Sequence, residues 1–149
     1  MHLLFPKASG LTEQVIASAI EVHREKGPGL IESIYEWCLT KEFVIRGFSH
    51  VSQKEVAINY KGFTRSEPLR FDILVEECLL VEVKAVEKVL PIHKAQLLSY
   101  MKLLDVPVGL LINFHQIKLI DGLHRLILPG ANQESLDQDD TEGDDISLL

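Results

Sequence analysis

The stretch Leu79-Leu80-Val81-Glu82-Val83-Lys84 decides how this chain is read. Its apolar residues make a strand, yet it carries two charges. Alternation puts residues 80, 82 and 84 on one face, with Glu82 and Lys84 about 7 Å apart. A charge in a buried strand costs several kcal/mol unless it is paired or holds a cation. The plain alternative is a salt bridge at a strand end. The segment Arg70-Phe71-Asp72-Ile73-Leu74 adds a carboxylate on a strand of its own. Register decides whether that carboxylate joins Glu82. The connection Glu76-Glu77-Cys78 has three residues, which sets Val75 opposite Leu79 and Asp72 opposite Glu82. A two-residue connection sets the two acids on opposite faces. The odd-length connection is the expectation. Carboxylates facing each other on neighbouring strands repel, and a divalent cation removes the conflict.

Working outward, residues 11–26 read as an amphipathic helix, with Thr12 as N-cap and Val15, Ile16, Ala19, Ile20 and His23 at helical spacing. Gly27-Pro28-Gly29 stops it. A second helix runs from about Leu30 to Arg46, with Ile31, Ile34, Tyr35, Cys38, Leu39 and Phe43 available for a buried stripe and Trp37 read as core. On it Glu32 and Glu36 stand one turn apart. The period then changes to two. Glu55 to Tyr60, Leu69 to Val75 and Leu79 to Val86 are strand candidates, with a turn at Lys61-Gly62. After Pro91 the helical period returns through Asp105, and His93, Gln96 and Tyr100 form a polar stripe on one face. Val106 to Phe114 is a nearly continuous apolar run, suiting a strand buried on both faces. Residues 116–128 suggest a hairpin turning at Asp121-Gly122. Two helices, three strands, a helix and a further strand predict an α/β sheet domain of two or three layers.

The chain has 149 residues and a net charge of −7. Seven acids and no Lys or Arg follow Ala131, so residues 1–130 balance fifteen acids against fifteen bases. The expectation is one domain over 1–130 and an acidic, disordered tail over 131–149. The charge therefore does not exclude nucleic acid. Residues 41–70 carry a local excess of three positive charges, and Lys54, Lys61, Arg65 and Arg70 are candidates for holding backbone phosphates. Cys38 and Cys78 are too few for a disulfide framework, and neither has a neighbour at zinc-ligand spacing. No apolar run is long enough to span a membrane. The expected location is the cytoplasm.

The motifs together resemble a known family. Gly29-Leu30-Ile31-Glu32-Ser33-Ile34-Tyr35 matches a GxxExxY signature. Asp72, then Val81-Glu82-Val83-Lys84, then Gln96-Leu97-Leu98-Ser99-Tyr100 resembles the D…ExK…QxxxY pattern of the PD-(D/E)xK nucleases. The combination, over roughly Leu11 to Ile127, resembles the GxxExxY proteins, a branch of that superfamily. One departure is Phe71, where the superfamily pattern has Pro before its first Asp. The resemblance implies a restriction-endonuclease-like core, a central mixed β-sheet flanked by helices. It implies a metal-dependent nuclease acting on DNA, with Glu32, Asp72, Glu82 and the Val83 carbonyl as ligands to Mg²⁺ or Mn²⁺. Lys84 would orient or activate the attacking water, and Gln96 and Tyr100 would border the site. His93 shares their face and joins the candidate nucleic-acid contacts. A homodimer or larger complex, and no membrane, complete the expected partners. The alternative is a non-catalytic nucleic-acid-binding or regulatory module that keeps the nuclease fold.

Overall fold

The computed structural model describes residues 1–134 and 146–148. Helix α1 (Phe5–Lys26) and helix α2 (Glu32–Arg46) come first. Strands β1 (His50–Tyr60), β2 (Phe63–Val75) and β3 (Leu79–Lys84) follow, then helix α3 (Pro91–Leu104). Strand β4 (Val108–Asn113), a 3₁₀ turn at Leu119–Gly122, strand β5 (Leu123–Ile127) and a short strand β6 (Ile146–Leu148) complete the order. The strands lie in one sheet in chain order. Only the pairing of β3 with β4 is parallel, the other neighbours being antiparallel, so the sheet is mixed. A parallel pair needs a crossover, and α3 supplies it.

The sheet separates two apolar clusters. Val15, Ala19 and Val22 of α1 and Tyr35, Leu39 and Phe43 of α2 pack with Leu79, Val81 and Val83 and with Val108, Leu110 and Ile112. Leu97, Met101 and Leu104 of α3 pack with Leu74, Leu80, Leu111 and Leu126. This is the expected α/β architecture, a mixed sheet flanked by helices on both faces. Strand β4 is buried at all six positions because both faces are covered. Each fully buried aliphatic side chain contributes roughly 2 kcal/mol of transfer free energy. Among the described residues no helix is long and apolar enough to cross a membrane.

Several local expectations are corrected. Helix α1 starts at Phe5, with Pro6 in its first turn, where a missing N–H costs nothing. Thr12 is therefore inside the helix rather than its N-cap, and its buried hydroxyl donates to the Ala8 carbonyl at 3.0 Å. Residues 116–128 make no hairpin of their own. The 3₁₀ turn folds β5 back onto β4, pairing Ile112 with Leu123, because the buried β4 offers a longer partner than residues 116–120 do. Trp37 is 62% exposed rather than core. The stripe at Tyr35, Leu39 and Phe43 takes the core face, and two residues from Tyr35 turns Trp37 well away from it. The expected tail falls largely on residues 135–145, outside the described residues, while Ile146–Leu148 pair with β5.

Candidate functional site

The pairing of β2 with β3 runs from Val75↔Leu79 through Leu74↔Leu80 to Ile73↔Val81. That is the register the three-residue connection requires, and its continuation aligns Asp72 with Glu82. At the next step a side chain replaces the backbone. The Asp72 carboxylate accepts the Val83 N–H at 2.7 Å. On the other side of β2 the register slips as well. Val51 pairs with Leu74 and Gln53 with Arg70, so three residues of β2 oppose Ser52 alone. Such a bulge bends a strand and re-aims its side chains. Asp72 sits at the middle of this one.

The helices bring the remaining groups. Gly29 has φ +102°, a left-handed conformation that a side chain disfavours. The buried Tyr35 hydroxyl donates to the Gly27 carbonyl and accepts the Leu30 N–H, so it ties the α1–α2 loop to α2. Its ring stacks on Phe114 with centroids 4.5 Å apart. Gly and Tyr of the motif thus fix where α2 begins, and Glu32 is its first residue. Across the sheet, α3 contributes Gln96 and Tyr100. With Arg70, Phe71, Asp72 and Glu82 they line a cleft of about 360 Å³. Lys84 Nζ stands 3.8 Å from Glu82 Oε2, both side chains being more than four-fifths buried.

The electrostatics follow from packing carboxylates together. Burial, then the charge of Asp72, pushes Glu82 up to about 7, against the opposing pull of Lys84. Glu32 and Glu36 add to that push. Burial raises Asp72 too, opposed by the Val83 hydrogen bond and by Lys84. Glu36 is raised by burial and then by Asp72 and Glu32. Like charges this coupled act as one group, and perturbed acids gathered at a cleft make it the candidate functional site. The donors are hard carboxylate oxygens, which suit a hard divalent cation. Among the described residues no three of His, Cys, Asp and Glu are placed to hold a metal ion by themselves. The two carboxylates that line the cleft, Asp72 and Glu82, could serve as donors with a backbone carbonyl and water. That fits Mg²⁺, which binds through one or two carboxylates and keeps several waters.

The structure thus brings Asp72, Glu82, Lys84, Gln96, Tyr100 and Arg70 together, with Glu32 near enough to act on them electrostatically. It does not gather the other candidates. Lys54 pairs with Glu77 at 3.6 Å and Arg65 with Glu67 at 2.7 Å. Lys61 sits over the Tyr60 ring at the β1–β2 turn. His93 Nδ1 accepts the Leu90 N–H at 3.0 Å, so this ring caps α3 rather than lining the cleft.

Two participants escape sequence reasoning. Glu36 is electrostatically coupled to Asp72, although its spacing from Glu32 suits a solvated helix face equally well. Asn113 is fully buried. Its amide donates to the Val86 carbonyl at 2.8 Å, and its oxygen accepts the Val86 N–H at 3.0 Å. With Phe114 N–H on the Lys84 carbonyl at 2.8 Å, it ends β3 at Lys84 and fixes the chain leaving the site. A lone Asn in an apolar run was the available signal.

A sequence model of the PD-(D/E)XK nuclease superfamily matches residues 9–126. Neither a curated protein nor a solved structure matches the chain.

Proposed function

Because this chain belongs to the PD-(D/E)XK nuclease superfamily, we propose that it is a metal-dependent nuclease that hydrolyses phosphodiester bonds of DNA. The observation that carries this reading is the shared cleft of Asp72 and Glu82 with Lys84 beside them. Asp72, Glu82 and the Val83 carbonyl would hold Mg²⁺ or Mn²⁺, with Glu32 joining them directly or through water. The bound ion supplies polarisation of the phosphoryl oxygen and a lower pKa for bound water. Lys84 orients the attacking water and offsets charge on the phosphate. Its pairing with Glu82 holds the ammonium in place before substrate arrives. Gln96 and Tyr100 position the scissile strand from α3, and Arg70 holds a phosphate at the rim of the cleft. Lys54, Lys61, Arg65 and His93 serve as outlying contacts to the rest of the nucleic acid.

The GxxExxY branch, a single domain over residues 1–130 with an acidic extension, and a cytoplasmic setting belong to the same proposal. The free Cys38 and Cys78 support a reducing compartment. A homodimer would give access to both strands of a duplex.

The test is incubation with linear, nicked, branched and single-stranded DNA plus Mg²⁺ or Mn²⁺. Cleavage that falls at least about a hundredfold in Lys84→Ala is expected. No cleavage of any substrate, or cleavage that survives the substitution, overturns the reading. The even balance of acids and bases over residues 1–130 favours one second reading, a nucleic-acid-binding or regulatory module without turnover. Calorimetric titration with Mn²⁺ separates them, since the nuclease must bind the ion in a manner sensitive to Asp72→Asn.

A further inference from the structure

Asp72 borders a second cavity as well as the cleft. This one, of about 300 Å³, lies between α2 and β1 and is lined by Ser33, Trp37, Thr40, His50 and Ser52 together with Glu36. The cleft opens toward α3 and the second cavity toward α2, so the two meet at the carboxylate. Each contains an aromatic side chain, Tyr100 in one and Trp37 in the other. Both volumes fall at the low end of those that hold small ligands.

A phosphodiester has a nucleotide on each side. A scissile phosphate at Asp72 and Glu82 therefore places one neighbour toward Tyr100 and the other toward Trp37. Trp37 is 62% exposed on a helix whose core face is already filled. Lys41 Nζ stands 5.5 Å over its ring. That cation lines the neighbouring cavity between α1 and α2 rather than this one, and an accessible aromatic ring is what stacks the bases of single strands. Ser33 and Ser52 give the cavity hydroxyls that both donate and accept, and Thr40, whose hydroxyl donates to the Trp37 carbonyl at 2.7 Å, adds an acceptor, which suits a base of any identity. Its two acids, Glu36 and Asp72, belong with the carboxylates of the site, Glu36 being raised by burial and then by Asp72.

We propose that this cavity is a nucleotide subsite, seating an unpaired base stacked on Trp37 next to the scissile phosphate. The proposal rests on the nuclease reading and narrows it. A base inside a duplex has both faces taken by its neighbours and must be extruded to reach a side chain. The substrate class is therefore single-stranded or frayed nucleic acid at this position.

Trp37 is the only tryptophan of the chain, so its emission reports the subsite directly. The full chain is titrated with a short deoxythymidine oligonucleotide in EDTA, where no cleavage occurs, and with a blunt duplex of the same length. The single strand should quench the emission, and the duplex should do so far less. By filter binding, Trp37→Ala should lower single-strand affinity roughly five- to a hundredfold, with Trp37→Phe retaining most of it. In Mn²⁺, wild-type cleavage should favour the single strand, and Trp37→Ala should raise KM with little change in kcat. Cleavage without quenching, or equal affinity in Trp37→Ala, overturns the subsite while leaving the nuclease intact. Equal quenching by the duplex overturns the unpaired base. Quenching without cleavage of any DNA supports the subsite and overturns the nuclease reading.

Discussion

Replacing Glu82 by Gln should make the metal-free protein more stable, and only above a particular pH. The folded chain holds the Glu82 proton up to about 7, whereas a solvated glutamate releases it near 4.5. Between those values the folded state binds a proton that the unfolded state has lost. Stability therefore falls as pH rises through that window. The gap between about 7 and 4.5 amounts to about 3 kcal/mol. Only 18% of the Glu82 side chain is exposed, so solvent screening takes little from that figure. Gln has no charge to lose, and the penalty vanishes with it. Urea melts in EDTA at several pH values from 4 to 8 read the difference. The two proteins should differ by a constant offset below about pH 4.5, and the variant should gain about 3 kcal/mol on the wild type by pH 8. Saturating Mn²⁺ should close the gap, because wild type gains about 2.7 kcal/mol at a hundredfold excess over Kd and the variant lacks a ligand. Parallel stability curves from pH 4 to 8 would refute the reasoning, since they would mean that burial and Asp72 do not load Glu82.

Mn²⁺ must displace the Glu82 proton, so its affinity by calorimetry should drop about tenfold per pH unit below about 7 and level off above it. Asn113→Ala leaves both backbone groups of Val86 without their partner and should cost about 2–4 kcal/mol in urea melts, with cleavage reduced as the chain after Lys84 loosens. Tyr35→Phe frees the Gly27 carbonyl and the Leu30 N–H; a loss of about 1–2 kcal/mol with the core stack intact is expected by thermal melting. Gly122→Ala drives a Cβ into the Asn113 carbonyl, where backbone must move, and should lower stability by about 2 kcal/mol.

The central strand pair was legible because its rule is arithmetic. Three connecting residues set the register from Val75↔Leu79 to Ile73↔Val81, whose continuation brings Asp72 to Glu82, although the bulge at Asp72 interrupts the plain alternation of β2. The α2 stripe was legible in part: Tyr35, Leu39 and Phe43 are buried as expected, whereas Ile31 and Ile34 at the start of the helix are exposed. What escaped depends on partners distant in the chain. The bulge opposite Ser52 arises from two strands whose alternation looks regular when each is read alone. Residues 123–127 pair with β4 rather than with 116–120 because the turn signal at Asp121-Gly122 is local, whereas the pairing edge that β4 offers is not. Trp37 was assigned by residue type, although helix geometry had already spent the core face. His93 was assigned to the right helix face but serves that helix's first turn, where an unsatisfied N–H outbid the cleft.

The bond from Val83 to Asp72 has a practical consequence for anyone testing the proposed nuclease with an inactive variant. Asp72→Ala is the obvious knockout of the proposed metal carboxylate, but here it also deletes the acceptor for a strand's N–H. Loss of activity in that variant would mix chemistry with a loosened scaffold. Asp72→Asn keeps an oxygen for Val83 while removing the charge, and Lys84→Ala leaves the bond untouched. Controls built on those two positions isolate catalysis from architecture; one built on alanine at Asp72 does not.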